Sequence, residues 1–554
     1  MTRPGDTEGD CPNRTIAPNR GADPGVSKTT QRFLVATFLS LFALQVFLTS
    51  RQTSPAWDEP LVLAPGYVFL KTGQWHLVPA HPPLIFALSA LPLLALKPHL
   101  DPTDPNLRSE NPYPVAMRFL STNKDDDRLF LWGRLPILLL ALLLGYFVYR
   151  WADELYGRNA GLMALLLYTF CPTIIAHSGF ISYDIGLSCF STLSLYWLWR
   201  FAQEGTWHHL LWTGLLLGCA LASKTPAIIL PPVFAGLMLL AVWWRPRPET
   251  SDPAPAVRLS FPLGAPALRD RLRLSLAALM LIFLMAFGVL YTIYLFPPDP
   301  LFYLRATLLA PDLHPGYPKY LMGQFSTEGW WYYFLVAVAI KTPIPTLLLI
   351  LLALWRWLRR PTGLFPEAFL LLPALAFFIL ISALADPLGV RYLLPIYPLL
   401  FIFISRTAPL FRQKWAGIAA GLILASWYLS TPIRIHPDYL AYFNEFVGGP
   451  KHGIAYLDDS NIDWGQNLKR LKRYLDAQRF EGVRLHYWGT GRPEYYGIHA
   501  MQIPFADLGR TPEPGIYIIS ANALVRARAL FGIDWLTRYP LVYVIGYSFY
   551  VFRV

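Results

Sequence analysis

The sequence predicts a polytopic α-helical membrane protein of about eleven transmembrane helices, followed by a small C-terminal α/β domain. Three observations carry this. The 554 residues are 54% hydrophobic and only 15% charged, whereas soluble domains carry about 25% charged residues. Several apolar runs approach the roughly 20 residues needed to cross a bilayer. Lys and Arg concentrate in alternate loops, leaving the intervening loops almost without them.

The apolar runs place helices near 33–50, 130–150, 160–177, 185–202, 210–223, 226–244, 274–295, 330–354, 364–384, 392–405 and 415–430. The first begins about 32 residues in and lacks a small-residue cleavage site, so it is expected to be a retained anchor. The preceding tail, 1–32, is rich in Pro, Gly, Thr and Asp and is expected to be disordered. The pair 210–244 is broken at Lys224-Thr-Pro226, and Pro343 and Pro345 are expected to bend the eighth helix.

Orientation follows from the basic residues. With the N-terminus cytoplasmic, the inner loops hold Arg150 and Arg158, Arg200, then Arg245, Arg247, Arg258, Arg269, Arg271 and Arg273. Arg356, Arg359 and Arg360 follow, then Arg406, Arg412 and Lys414. The short outer loops hold Lys224 and Arg391 as exceptions. This positive-inside pattern puts the C-terminal region outside and assigns most of the net charge of +12 to one face of a membrane, so that charge does not argue for nucleic acid. The cysteines suggest no soluble disulfide framework.

Two outer segments are large. The loop 51–129 contains His81-Pro-Pro-Leu84 and the apolar stretch 84–96, which is expected to lie on the outer membrane face because a span there would invert the charge pattern downstream. The region 432–554 is more polar and reads as α/β. Residues 454–457 are expected to form a strand, and Asn461 and Asp463 to cap a helix that places Leu468, Leu471 and Leu475 on one face. Val483–Tyr487, Gly515–Ser520 and Val542–Phe552 supply further strands.

Ionisable residues at membrane helix ends are expensive and need a reason. Here Asp58 and Glu59, Arg134, Asp184, Lys224 and Arg391 all fall at outer ends. Acids and bases distant in sequence thus share one level, where a lipid-linked phosphate would lie. A carboxylate there can take a proton from an acceptor, and Arg or Lys can bind a phosphate and stabilise its growing charge. His81, fixed by two prolines, can hydrogen-bond the acceptor or the phosphate. The residues alone leave structural alternatives open. Asp58 and Glu59 also fit solvated loop charges, Asp184 fits a helix N-cap, and Arg134 and Arg391 fit snorkelling to headgroups. Lys224 must face a cavity, a partner or the interface, and Lys341 falls well inside the eighth span. Asp458-Asp-Ser-Asn-Ile-Asp463 lacks the glycine and distal Glu of a calcium loop and reads better as turn chemistry.

The order and spacing of several segments resemble bacterial relatives of the dolichyl-phosphate-mannose protein mannosyltransferases, and their aminoarabinose transferase cousins, in the GT-C class of multispanning glycosyltransferases. These are the acid pair after the first helix, His81-Pro-Pro-Leu84, Ala176-His-Ser-Gly-Phe-Ile-Ser-Tyr-Asp184, Leu221-Ala-Ser-Lys-Thr225, Ala339-Ile-Lys-Thr-Pro343 and Gly389-Val-Arg-Tyr-Leu-Leu-Pro395. Tyr442-Phe-Asn-Glu-Phe-Val-Gly-Gly-Pro450 and Asp459-Ser-Asn-Ile-Asp-Trp-Gly-Gln466 resemble a bacterial subgroup with an extra outside domain.

The resemblance implies a GT-C-like domain over 33–431 and an extracytoplasmic domain over 432–554. It implies an inverting transferase of the bacterial cytoplasmic membrane that moves a sugar from a polyprenyl-phosphate carrier to a protein, lipid or glycan acceptor. Asp58 would be the base and Glu59 its neighbour. Arg134 would lie near the donor phosphate, with Lys224, Lys341 and Arg391 as further phosphate-binding residues and His81 and Asp184 as substrate-binding ones. No cofactor is required on this reading; a divalent metal is compatible with the wider class but not indicated. The large sugar-binding repeat domain of the eukaryotic enzymes is absent. The rival readings are a lipid or sugar transporter or flippase, which would put functional charges near the midplane of repeated halves, and a membrane-anchored binding protein working through its C-terminal domain.

Overall fold

The computed structural model describes residues 27–243, 267–299, 301–309, 316–359, 364–478, 480 and 482–554. Most of the expected tail, and Arg245, Arg247, Arg258 and Arg360, lie outside the described residues. The first helix starts earlier than expected, at Lys28, because the Ser27 hydroxyl accepts the Thr30 N–H and caps it. It runs to Gln52, and Leu41, Leu44, Phe47 and Leu48 face outward, the all-round apolar surface of a helix in lipid.

All eleven expected regions are helical. Among the described residues, six helices are long and apolar enough to cross a membrane: Lys28–Gln52, Asp126–Tyr156, Thr225–Trp243, Leu268–Ile293, Phe365–Leu384 and Trp415–Ile435. Two bent pairs raise the number to eight. Arg158–Thr169 with Pro172–Ser178 turns through 62°, and Tyr333–Lys341 with Ile344–Arg359 turns through 114° at the expected proline pair. The other three regions are Tyr183–Glu204, Trp207–Leu221 and Ile396–Ser405, so length and apolarity alone do not give eleven spans. Tyr183–Glu204 is buried along nearly its whole length, at the centre of the bundle. Beside it, Gly218 lets Trp207–Leu221 close onto Leu268–Ile293: a Cβ there would meet the Val289 Cβ at 2.6 Å, the small-residue contact typical of membrane helix pairs.

The stretch 84–96 forms two short helices, Leu84–Ala90 and Leu93–Leu96, with one face packed on the protein. Ile85, Phe86, Ala90 and Leu93 are buried. They pack beneath Glu59–Thr72, where Gly66 comes so close that a Cβ would sit 2.1 Å from the Phe86 carbonyl oxygen. The sequence reading missed a hairpin between the bundle helices, β1 (Lys319–Leu321) with β2 (Gln324–Ser326).

The C-terminal region is α/β, as expected. Five strands, β3 (Arg484–His486), β4 (Met501–Gln502), β5 (Ile516–Ser520), β6 (Leu541–Ile545) and β7 (Phe549–Arg553), lie in the order β4-β3-β5-β7-β6. β3 is parallel to β4 and β5, and β7 is antiparallel to β5 and β6. Alternation sorts the side chains. Ile518, Phe549 and Val551 join Leu468 and Leu471 of helix Leu468–Gln478 in one core, while Tyr517, Ile519, Tyr550 and Phe552 join the core continuous with the membrane bundle. The three-residue β6–β7 turn, 546–548, has Gly546 and Tyr547 both left-handed, at φ 57° and 59°, and is closed by the Ser548 N–H donating to the Ile545 carbonyl at 3.1 Å.

Two local expectations are corrected. Residues 454–457 are not a strand: Pro450–Ala455 is a 3-10 turn, and the Ile454 and Ala455 carbonyls accept the Tyr320 hydroxyl instead of a sheet partner. Asn461 and Asp463 do not cap the helix, which begins only at Leu468; both are buried in a segment that reaches back to the bundle.

Candidate active site

Chain alternation brings five sequence-distant segments to one end of the bundle. Asp58 stands at the start of helix Glu59–Thr72 and His81 in the loop that follows it. Asp184 lies in the first turn of Tyr183–Glu204. Lys224 directly precedes the 3-10 turn Thr225–Ile229, and Arg391 sits in the turn Val390–Leu393.

Four of these residues form a chain of alternating charge. The Arg391 Nη1 donates to Asp58 Oδ2 at 3.0 Å and lies 3.6 Å from Asp184 Oδ2. Lys224 Nζ donates to Asp184 Oδ1 at 2.7 Å. Asp184 therefore pairs with Lys224 and Arg391 rather than capping its helix, whose N-cap is Ser182. The Tyr392 ring faces both cations, 4.3 Å from Lys224 Nζ and 5.1 Å from the Arg391 guanidinium carbon. Trp464, from the C-terminal region, lies 4.4 Å from the same guanidinium. Asp58 is the open end of the chain: its side chain is 31% exposed, against 2% for Asp184.

A cavity of about 300 Å³ opens on this cluster. Asp58, His81, Tyr183, Lys224 and Arg391 line its polar end, and Ile228, Leu380, Ile381 and Leu384 its apolar flank. Leu380, Ile381 and Leu384 belong to the last turns of the apolar helix Phe365–Leu384. Hydrogen-bonding capacity is unused there: His81 Nδ1, the Tyr183 hydroxyl and Arg391 Nε are buried without hydrogen-bond partners. His81 packs on the Tyr183 ring at 4.5 Å. Burial, helped by the positive charge of Lys224, pushes the His81 imidazole down to about 3, so its ring is neutral near pH 7 and offers one donor and one acceptor.

The other expected residues lie outside the cavity. Glu59 points away from the cavity that Asp58 faces, since successive helical residues diverge by about 100°. It is 0% exposed and pairs with Arg134 through two hydrogen bonds, Nε to Oε1 at 2.8 Å and Nη2 to Oε2 at 2.6 Å. It also accepts the Ala56 and Ile181 N–H groups, each at 2.8 Å. Arg134 further donates to the Ser50 and Ser54 carbonyls and the Thr53 hydroxyl. All five of its N–H groups are thus engaged, leaving none for a donor phosphate. Lys341 lies at the bend after Tyr333–Lys341, not deep in a straight span. Its ammonium donates to the Leu440 and Asn461 carbonyls at 2.7 and 2.6 Å and faces Phe443. Among the described residues, no group of three or more His, Cys, Asp or Glu side chains is placed to hold a metal ion. The sequence reading missed Tyr183, Tyr392 and Trp464; aromatic residues this common in a membrane chain carry no local signal of their own.

A family model described as dolichyl-phosphate-mannose-protein mannosyltransferase matches residues 130–268, a segment that includes Arg134, Asp184 and Lys224. Among solved structures, ArnT from Cupriavidus metallidurans bound to undecaprenyl phosphate is 13% identical, with a TM-score of 0.50 over 94% of this chain and 97% of that one. The same protein in its apo state gives 14% identity and a TM-score of 0.49 over 94% and 98%. The Archaeoglobus fulgidus oligosaccharyltransferase tethered with an acceptor peptide gives 12% and 0.47 over 86% and 64%. No curated protein matches the chain. Residues 130–268 thus resemble that mannosyltransferase family in sequence, nearly the whole chain resembles ArnT in fold, and the described helices include several long and apolar enough to cross a membrane.

Proposed function

We propose that the protein is a glycosyltransferase that moves a sugar from a polyprenyl-phosphate carrier to an extracytoplasmic acceptor, with inversion at the anomeric carbon. The observation that carries this reading is a cavity with a charged end at Asp58, Lys224 and Arg391 and an apolar flank on a membrane helix. An amphiphile with an anionic head and a hydrocarbon tail matches both surfaces. That ArnT was solved with undecaprenyl phosphate bound is consistent with such a donor.

On this reading the donor phosphate lies against Arg391 and Lys224, and the tail runs along Leu380, Ile381 and Leu384. The acceptor O–H or N–H attacks the anomeric carbon from the face opposite the phosphate and gives its proton to Asp58. The bond between the anomeric carbon and the phosphate oxygen breaks, and its electron pair leaves with the carrier phosphate, whose added charge the two cations stabilise. A phosphate leaving group needs no proton, so one base suffices. Neutral His81 and Tyr183 hydrogen-bond the sugar or the phosphate. Glu59 and Arg134 hold the loop that carries Asp58 rather than touching substrate, and Lys341 is a structural tie. The setting is the outer face of a bacterial cytoplasmic membrane.

The test is to incubate membranes with a panel of radiolabelled polyprenyl-phosphate monosaccharides and follow label into protein, lipid and glycan fractions. Label that enters at least one fraction in wild-type membranes and not in Asp58→Asn membranes supports the reading. Equal label in both sinks it.

A further inference from the structure

We infer that the C-terminal domain is part of the reaction centre: its segment 460–466 holds the Asp58 loop and the Arg391 loop in one register, with Asn461 and Trp464 as positioning residues. This rests on the reading of Asp58 and Arg391 as the working pair.

Toward Arg391 the segment makes three separate contacts. The Trp464 ring lies 4.4 Å from the guanidinium. The Asn461 Oδ1 accepts the Val390 N–H at 3.0 Å. The Ser460 hydroxyl donates to the Leu388 carbonyl at 2.8 Å, so closely that a Cβ on Gly389 would come within 2.1 Å of it. Toward Asp58 the same segment works through its main chain. The Trp57 N–H donates to the Trp464 carbonyl at 2.7 Å and the Ser54 N–H to the Gln466 carbonyl at 2.9 Å. The Ser54 hydroxyl donates to the Gly465 carbonyl at 3.1 Å and accepts the Leu468 N–H at 3.0 Å.

The segment is itself fixed. Asn522 accepts the Asp459 N–H at 2.7 Å and donates to the Asp463 carbonyl at 2.8 Å. Lys341 donates to the Asn461 carbonyl at 2.6 Å, which gives that buried ammonium a role the reaction does not. Trp464 thus meets Arg391 with its ring while its carbonyl holds the residue beside Asp58. A base and its cation must keep their spacing to within about 0.5 Å to work together, and here one short segment sets both sides of that spacing.

The test uses full-length protein in detergent, with Trp464→Leu and Asn461→Ala as the disruptive variants and Trp464→Phe as the conservative one. Hydrogen exchange reads position without requiring activity. Both disruptive variants are expected to raise exchange at least tenfold in residues 54–58 and 389–392 together, and Trp464→Phe to restore it. No change, a change in only one of the two loops, or general deprotection of 432–554 without rescue by Phe overturns the inference. The second readout is the steady-state kinetics of sugar transfer. A displaced Arg391 holds the donor phosphate less well, so Trp464→Leu raises the KM for the donor and Trp464→Phe restores it; an unchanged KM in Trp464→Leu overturns the inference. If wild-type protein transfers none of the panel sugars, the proposed function falls, and the exchange result still decides the positioning role.

Discussion

Arg391 donates to Asp58 at 3.0 Å while the same Nη1 lies 3.6 Å from Asp184, so one guanidinium joins the exposed acid to the buried one. Asp58 is the partner that can leave, because Arg391 is also held against Tyr392, Trp464 and Asp184. An anionic phosphate arriving at Arg391 and Lys224 would compete with Asp58 for the cation and free it to accept a proton. Asp58→Asn keeps an acceptor for the Arg391 N–H but removes the basicity. Sugar transfer is expected to fall by at least about 10²-fold, with an unchanged melting temperature; transfer rate and thermal melting on the same preparation check both halves.

Arg391→Lys tests whether the planar fork matters beyond its charge. A lysine ammonium is a compact point charge on a flexible stem and does not reproduce the guanidinium's directed donors or its stacking on Tyr392 and Trp464. Transfer is expected to drop roughly 10- to 100-fold with a raised KM for the donor. Steady-state kinetics across donor concentrations decide it, and wild-type kinetics in this variant would remove Arg391 from the phosphate site.

Glu59→Gln should behave in the opposite way from Asp58→Asn, although the two residues are neighbours. Glu59 is buried, and its two oxygens accept from Arg134, Ala56 and Ile181. A glutamine offers one acceptor oxygen and turns an N–H₂ toward donors, leaving the Arg134 guanidinium buried without its counter-charge. Breaking such a pair costs about 3–5 kcal/mol. The expected result is a lower melting temperature and poor recovery of folded protein, read by thermal melting and size-exclusion profile. Full stability would show that the pair does not hold this loop.

The helices and the outer cluster were legible in the sequence because both are written in one-dimensional signals. Apolar runs mark membrane helices, and a charge at a helix end is conspicuous where charges are rare. Asp58, Asp184, Lys224 and Arg391 stand out that way and form one charge cluster; Asp58, Lys224 and Arg391, with His81, line one cavity. The same signal also picked out Arg134 and Lys341, since it registers that a charge is buried and not what neutralises it. Arg134 is satisfied by Glu59 and Lys341 by two carbonyls, partners that only the fold supplies. The strand expected at 454–457 failed for a related reason: its apolar residues fit a strand pattern, but the carbonyls of Ile454 and Ala455 are claimed by Tyr320, more than a hundred residues away.

Asp463 is buried in the segment that joins the two halves of the site. Its Oδ1 accepts the Gly465 N–H at 3.2 Å, and its Oδ2 has no hydrogen-bond partner. Burial raises its carboxyl from 3.8 to about 7. The folded state therefore holds this proton more tightly than the unfolded chain. The stabilisation is complete below about pH 4 and declines as pH rises through the window to about 7, by at most about 1.4 kcal/mol per pH unit for one proton. Asp463→Asn abolishes this titration. The stability of the variant relative to wild type should climb from pH 4 to pH 7 and then level off. His81, lowered to about 3, acts with the opposite sign and loses stability as pH falls below about 6.5; it is the same in both proteins, so it cancels in the difference. Thermal melts of both proteins in detergent at half-unit steps from pH 4 to 8 give that difference directly, and a flat difference would show that Asp463 does not hold the proton.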